Sequence, residues 1–328
     1  MDTVPAARRR RLCGPGGARG QGVRVVRSAN DVYSINMAAK WTIGLDLRPS
    51  GRGALAFARW ARERTQPPGA LELDAVHVAE ESFLLRELKH THLADLEARL
   101  LTRAGEELEL AGLAGATVPR VVESTHAERA LQDAMETSGA EALVIGRRVG
   151  AHEDGFVRLG RVARRVLRSS PVATIVVPGD LGVDDFGNGP ILLATDLSES
   201  SSGAVGFALR VAELCGREVI VVHIVPHFDQ GDMFVPAATL EQLYHQLGLE
   251  RGRELEAWIA LHGLRAAKTA LATGDVISRV LGIAEQESCP LVVCGSRRLG
   301  VAERIFTASV GSSLAAFGKL PVAIVPPA

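Results

Sequence analysis

Thr42-Ile-Gly-Leu-Asp46 is a short apolar segment that ends in aspartate, and 150 residues later Leu192-Leu-Ala-Thr-Asp196 has the same character. Three more segments recur at offsets of 146 to 149 residues. They pair Leu73-Asp-Ala-Val-His77-Val with Val219-Ile-Val-Val-His223-Ile, Ala142-Leu-Val-Ile-Gly146 with Leu291-Val-Val-Cys-Gly295, and Val172-Ala-Thr-Ile-Val-Val-Pro178 with Leu320-Pro-Val-Ala-Ile-Val-Pro326. Four landmarks at a nearly constant offset indicate two copies of one domain.

The repeat predicts four parts of the chain. Repeat 1 comprises residues 37–180, and repeat 2 comprises residues 190–328. Residues 181–189 form a linker that is rich in Asp, Asn and Gly, residue types that favour turns. Residues 1–36 form an N-terminal tail of different composition.

Each repeat alternates short apolar, β-branched runs with longer helical patterns. This βαβ pattern predicts an α/β fold made of two tandem open five-stranded parallel sheets with helices on both faces. Strands are expected near 42–46, 72–78, 118–123, 142–146 and 172–177, and again near 191–195, 218–224, 267–272, 290–294 and 321–325. Helices of repeat 1 are expected near 51–64, 82–111, 126–138 and 156–169.

Composition excludes several classes of protein. Of the 328 residues, 47% are hydrophobic, which is enough to form a core. The net charge of −1 and the 4% of aromatic residues argue against a nucleic-acid partner. The apolar runs, such as Val219–Val225, are too short to span a bilayer. The four cysteines have no metal-ligand spacing, so we expect reduced thiols in a cytoplasmic protein without a metal site.

The N-terminal tail is strongly basic. It holds seven arginines against Asp2 and Asp31, a balance of +5. No apolar stretch follows Arg8–Arg11, so the tail does not match a secretory signal. A basic arm for nucleic acid and a mitochondrial transit peptide are two interpretations. We favour a third, a disordered extension that precedes Met37.

Ligands of open α/β sheets bind beyond the carboxyl ends of the strands. Asp46 ends the first predicted strand, and Gly146 ends the fourth. A loop containing Gly150 follows, and Gly160 precedes the next helix. Glycines allow close backbone approach and the free N–H groups of a helix start attract anions, so this arrangement is typical of a phosphate site.

Together these features resemble the universal stress protein family in its tandem two-domain form. The resemblance rests on the aspartate after the first strand, the Val/Ile-His-Val/Ile run, the glycine loop and the closing Val-Val-Pro, and it covers residues 41–328. It implies a five-stranded sheet of order 3-2-1-4-5 in each repeat. It also implies a pseudo-dimer of the two repeats through their last strands, and a homo-dimer is a further expectation. Some family members bind ATP through Gly-x2-Gly-x9-Gly-Ser/Thr.

The resemblance assigns six residues of repeat 1 to a nucleotide site: Asp46 and Val78 at the adenine, Gly146, Gly150 and Gly160 at the ribose and phosphates, and Arg161 in place of the Ser or Thr. Repeat 1 departs from the motif, because three residues rather than two separate its first two glycines. Repeat 2 keeps only Gly295 and the final hydroxyl of Ser309. We therefore expect ATP at repeat 1 and a degenerate repeat 2.

Structural interpretations compete with each of these assignments. Asp46 and Asp196 are also typical of turns that cap helices. The glycine loop could simply need positive φ, and its acidic residues Glu153 and Asp154 would repel a phosphate. The arginine face formed by Arg161, Arg164, Arg165 and Arg168 could bind nucleic acid or polyphosphate, but we favour a solvated face.

Catalytic signatures are missing from the sequence. There is no Walker A, HExxH or GxSxG motif. His77 and His223 recur at matching positions, but no carboxylate or second histidine stands at a helpful spacing, so we interpret them as strand-end residues. The favoured hypothesis is a non-catalytic stress-response protein with ATP as a regulatory ligand. The alternatives are a nucleotide-independent interaction or chaperone-like factor, and a slow ATP-hydrolysing enzyme.

Overall fold

The computed structural model describes residues 38–88, 92–148, 159–226, 237–266, 268–296 and 309–327. The N-terminal tail and Gly150 lie outside these residues, so the predictions made for them stay predictions.

The described part of repeat 1 alternates strands and helices in the predicted order. Its elements are β1 (Ala39–Leu45), α1 (Arg52–Arg64), β2 (Leu71–Glu80), α2 (Glu81–Glu87), α3 (Leu93–Leu110), β3 (Arg120–Ser124), α4 (Ala127–Ser138), β4 (Ala142–Arg147), α5 (Arg161–Ser169) and β5 (Ala173–Pro178).

Repeat 2 follows the same alternation. Its elements are β6 (Ile191–Ala194), α6 (Ser202–Leu214), β7 (Val219–Val225), α7 (Ala237–Leu261), β8 (Lys268–Thr273), α8 (Val276–Gln286), β9 (Val292–Gly295), α9 (Val310–Phe317) and β10 (Val322–Val325).

Two predicted helices of repeat 1 have different bounds in the structure. The single helix expected over 82–111 is two helices, α2 and α3, and extended backbone at His92 precedes the second one. The helix expected from 156 begins at Arg161, because Gly160 is extended (φ −59°, ψ 162°) and forms its N-cap. Helical periodicity continues across both places, so it does not reveal these boundaries.

The sheet has the strand order β3-β2-β1-β4-β5-β10-β9-β6-β7-β8. Strands within each repeat pair in parallel in the order 3-2-1-4-5, which confirms the topology that the family resemblance implies. The last strands, β5 and β10, pair antiparallel, with Ala323 opposite Ile175. The two predicted sheets are therefore halves of one ten-stranded sheet, joined through their last strands as expected for the pseudo-dimer.

Both faces of the sheet are covered by helices. Residues of β4 alternate between the faces, since Val144 belongs to one core cluster and Leu143 to the other. The first cluster takes residues from α1, α3, α6 and α7, and the second takes residues from α4, α5, α8 and α9. Burial on both faces explains why the strand sequences are continuously apolar.

The linker is anchored in the core of the protein. A short 3-10 turn spans Val183–Asp185, and the Gly182 N–H donates to the Asp185 carboxylate at 2.7 Å. Phe186 follows and is 4% exposed. Its ring meets Phe57 edge-on at 5.3 Å between centroids and lies 5.8 Å from the ring of Trp60. The linker thus contributes an aromatic side chain to the first core cluster. None of the described helices is long and apolar enough to cross a membrane.

Candidate functional site

Asp46 lies directly after β1, at the carboxyl end of the sheet in repeat 1. The chain turns sharply here, with Leu47 at φ +53°. The Ser50 hydroxyl donates to the Asp46 carboxylate at 2.6 Å, and the Arg48 guanidinium lies 3.8 Å from its other oxygen. Asp46 does not cap α1, whose N-cap is Gly51 without a side-chain hydrogen bond. Its side chain is 41% exposed, so the carboxylate remains accessible to a ligand.

The corresponding residue of repeat 2, Asp196, is bound more fully by its own loop. One of its carboxylate oxygens accepts hydrogen bonds from the Ser198 N–H at 3.0 Å, the Ser198 hydroxyl at 2.5 Å and the Ser201 hydroxyl at 2.6 Å. A ligand at this oxygen would have to replace hydrogen bonds that already exist. The two aspartates therefore share a position but differ in how much of the carboxylate is already engaged.

His77 and His223 each connect the ends of two neighbouring strands. His77 Nδ1 donates to the Leu45 carbonyl at 2.8 Å, and His223 Nδ1 donates to the Thr195 carbonyl at 2.9 Å. Because a carbonyl only accepts, Nδ1 must carry the proton in both rings. Burial lowers the pKa of His77, against the opposing effect of the Leu45 hydrogen bond. These contacts give both histidines a structural role at the strand ends.

Val78 lies where β2 extends beyond its neighbour. The pairing of β1 with β2 ends at Leu45 and His77, whereas β2 continues to Glu80. Val78 pairs with Val122 of β3 on its other side. Its side chain is half-buried against the second core cluster, and on the side of β1 its backbone has no partner in the ladder.

Gly146 is fixed by a close backbone approach. A Cβ at this position would lie 2.2 Å from the Ser50 carbonyl oxygen and 2.9 Å from the Gly51 Cα. Gly295 of repeat 2 meets the backbone of Ser200 and Ser201 in the same way, at 3.0 to 3.1 Å. The loop after the first strand therefore packs against the end of the fourth strand in both repeats. This packing accounts for Gly146 without any phosphate, and it places the loop that contains Asp46 and Ser50 against the end of β4.

The two helix starts that follow the glycine loops differ. The N-cap of α5 is Gly160, which makes no side-chain cap, and among the described residues other than its chain neighbours no atom lies within 4 Å of the position of a Cβ there. Arg161, the first helical residue, is exposed. In contrast, Ser309 caps α9 by accepting a hydrogen bond from the Ser312 N–H at 3.2 Å. The N-cap residue of α5 therefore offers no side-chain acceptor to the first N–H groups of its helix, whereas that of α9 does.

Arg147 is a residue of this region that sequence analysis missed. It is 6% exposed, although it directly follows Gly146 at the end of β4. Its Nη2 donates to the Gly318 carbonyl at the end of α9, while Nε has no hydrogen-bond partner among the residues that the structure describes. Burial lowers the pKa of this guanidinium. The contact joins residues 171 positions apart, so no local pattern in the sequence indicates it.

The tandem α/β fold, with a candidate site at the carboxyl edge of each half of the sheet, defines a class of two-repeat α/β proteins. The model of the universal stress protein family matches residues 42–178 and again residues 187–326. The chain therefore belongs to the universal stress protein family and contains two of its domains.

Solved structures share this fold at low sequence identity. A universal stress protein from Archaeoglobus fulgidus has a TM-score of 0.58 at 17% identity, over 88% of this chain and 98% of that chain. A protein of unknown function from Pseudomonas aeruginosa PAO1 has a TM-score of 0.60 at 13% identity, over 89% and 94%. A putative universal stress protein from Pseudomonas aeruginosa has a TM-score of 0.55 at 14% identity, over 89% and 94%. A comparison with curated protein sequences gave no significant match.

Proposed function

We propose that this member of the universal stress protein family is a non-catalytic protein that binds ATP at repeat 1 as a regulatory ligand. Family membership supports a role in the stress response. The observation that carries the ATP proposal is the contrast between the two repeats. Repeat 1 has an exposed carboxylate and a helix start without a side-chain cap, whereas repeat 2 fills the same positions with its own serines.

Each predicted site residue receives a role in this proposal. Asp46 and the backbone of Val78 bind the adenosine, because β2 leaves backbone beside Asp46 without a partner strand. The loop from Gly146 through Gly150 to Gly160 surrounds the ribose and phosphates. Arg161 pairs with a phosphate in place of a hydroxyl, because a guanidinium forms charge-assisted hydrogen bonds with phosphate oxygens.

We assign no catalytic step to this site. A general base must have a free nitrogen or oxygen within reach of the proton that it removes. In both strand-end histidines Nδ1 donates to a backbone carbonyl, which leaves Nε2 as the basic nitrogen, but the sequence holds no Walker A, HExxH or GxSxG motif that would give it a reacting partner. Binding would therefore act by changing the population of conformations that partners recognise.

The test uses the full chain, purified without added nucleotide. One sample is heat-denatured, and the ligand that it releases is identified by mass spectrometry. ATP binding is measured by calorimetry on a second, native sample that is free of nucleotide. We expect adenine nucleotide near one per chain, and we expect Asp46→Ala to abolish it. Asp196→Ala is the matched control, because it removes the equivalent carboxylate of repeat 2 and should leave the stoichiometry unchanged.

Two results would contradict the proposal. Absence of nucleotide, together with no heat on titration with millimolar ATP, would favour the nucleotide-independent interaction factor. Loss of binding in Asp196→Ala but not in Asp46→Ala would place the site in repeat 2. Release of ADP and phosphate during incubation, abolished by Asp46→Ala, would instead favour the slow ATP-hydrolysing enzyme.

A further inference from the structure

The exposed face of α5 carries a stripe of three arginines, Arg161, Arg164 and Arg168. All three are exposed, and their spacing of three and four residues places them on one side of the helix. At 1.5 Å per residue the stripe extends about 10 Å along the helix axis. Within the part of the chain that the structure describes, no carboxylate lies within 4.0 Å of these guanidinium groups, whereas the neighbouring Arg165 pairs with Glu128 at 3.3 Å.

The second copy of the same helix shows that the fold does not need this charge. When the N-caps Gly160 and Ser309 are aligned, the three stripe positions correspond to Val310, Ser313 and Phe317 of α9. Both helices pack on the second core cluster through their other faces. The arginines of α5 are therefore not required for packing on this cluster, since α9 contributes to the same cluster without them.

The positive charge of Arg161 also lies at the end of the helix that the helix dipole makes unfavourable for a cation. The N-terminus of a helix carries a partial positive charge, so a cation at the first position is unfavourable. Arg161 occupies that position in α5, and the first turn contains no acidic residue. A local arrangement that conflicts with helix electrostatics is expected where a function requires it.

We propose that this stripe binds a linear chain of phosphates that is longer than the triphosphate of ATP and that runs from Gly160 along the exposed face of α5. The inference rests on the proposed nucleotide site of repeat 1, because the stripe begins at the helix start where that site ends. It names the ligand class more closely: a nucleoside or dinucleoside polyphosphate, or free inorganic polyphosphate, in which the shared chemistry is the phosphoanhydride chain.

The chemistry of the stripe favours a phosphate chain over other anions. Its members are all arginines, and a planar guanidinium group can donate two parallel hydrogen bonds to two oxygens of one phosphate. A nucleic acid would offer phosphates too, but the three positions include no aromatic side chain on which a base could stack. Three cations spread over about 10 Å match a ligand whose charge is spread over a similar length.

The experiment compares ATP, diadenosine tetraphosphate and short-chain inorganic polyphosphate by calorimetry on the full chain. The test variant is Arg164→Gln with Arg168→Gln, which leaves every residue of the proposed ATP site unchanged. The matched control is Arg165→Gln, which lies on the same side of the helix but is already paired with Glu128 at 3.3 Å and is therefore not a free cation. We expect the longer chain to bind at least tenfold more tightly than ATP, and we expect the double variant to remove that advantage while the control keeps it.

Each result separates the inference from the proposed function. If ATP binds but neither longer chain binds more tightly, or if Arg165→Gln weakens binding as much as the double variant, the inference fails and the ATP site stands. If inorganic polyphosphate binds through the stripe while ATP does not bind, the inference holds and the ATP proposal fails. Asp46→Ala distinguishes a nucleoside polyphosphate from inorganic polyphosphate, since it should weaken the binding of the first and leave that of the second unchanged. Tighter, stripe-dependent binding of a single-stranded DNA oligonucleotide would overturn the inference in favour of nucleic acid.

Discussion

At the scale of single residues, Gly146 has a stability role that can be measured apart from ligand binding. We expect Gly146→Ala to lower the free energy of unfolding by about 2 kcal/mol or more, because the new methyl group would lie 2.2 Å from the Ser50 carbonyl oxygen and backbone would have to move. Urea denaturation followed by circular dichroism measures this change.

Gly160→Ala is the matched control for that prediction. Gly160 has ordinary negative φ and, among the described residues, open space where a Cβ would stand, so its substitution should cost only the weaker N-cap preference of alanine, about 1 kcal/mol or less. Equal destabilisation by the two variants would contradict the packing explanation of Gly146. Loss of nucleotide affinity in Gly160→Ala with unchanged stability would instead indicate a ligand contact.

The sequence pattern predicts Asp46 and Gly146 as site residues but not Arg147, and the difference has a physical reason. Asp46 and Gly146 stand out because they end strands in both repeats, and the structure brings them together through the loop containing Ser50. Arg147 gave no signal, because an arginine beside a glycine loop normally faces solvent. Its burial depends on the carbonyl of Gly318, which only the pairing of the two repeats brings near.

At the scale of elements, the helix ends were harder to predict than the strands. Strands are marked by short apolar runs that the flanking turns delimit, so their predicted positions agree with the structure to within a few residues. The break before α3 and the start of α5 depend on backbone conformation at His92 and Gly160, which periodicity does not report. The buried Phe186 likewise lies within a stretch whose composition predicts only a polar linker.

The cap of α8 provides a prediction at this scale. Asp275 accepts hydrogen bonds from the N–H and hydroxyl of Ser278, at 2.8 and 2.7 Å, and these bonds hold the pKa of its carboxyl below the ordinary value. We expect Asp275→Ala to lower the free energy of unfolding by about 1 kcal/mol at pH 7. Because the folded pKa is lowered, the unfolded chain binds the proton first, and the contribution disappears as pH falls below about 4.

Urea titrations of both proteins at pH 7 and at pH 3 measure this effect. The difference between wild type and Asp275→Ala should be largest at pH 7 and should shrink at pH 3. Asp275→Asn is the control, since its amide oxygen still accepts from the Ser278 N–H and retains most of the stability. A difference that stays constant between the two pH values would show that the carboxylate charge does not contribute.

At the scale of the whole molecule, the repeats are joined by more than the covalent linker. The strands β5 and β10 pair directly, Arg147 reaches the Gly318 carbonyl, and the Gln66 N–H donates to the Leu214 carbonyl at 2.9 Å. The sequence predicts two copies, and the family resemblance predicts their contact through the last strands. The single continuous sheet and the side chains that cross between the halves become visible only when both copies are placed together.

This continuity predicts that the two repeats unfold together. The three tryptophans report on different halves, since Trp41 and Trp60 are buried in repeat 1 and Trp258 is buried in repeat 2. In Trp258→Phe the fluorescence follows repeat 1, and in the double variant Trp41→Phe with Trp60→Phe it follows repeat 2. For each protein we expect the urea transition by fluorescence to coincide with that by circular dichroism, as in two-state unfolding.

The contact of Arg147 provides a second prediction at this scale. In both tryptophan variants Arg147→Met should lower the urea midpoint of unfolding by the same amount, because it removes a contact between the halves and leaves the Gly318 carbonyl without its donor. Two separate midpoints, or a shift confined to one reporter, would show that the repeats unfold as independent domains despite their shared sheet.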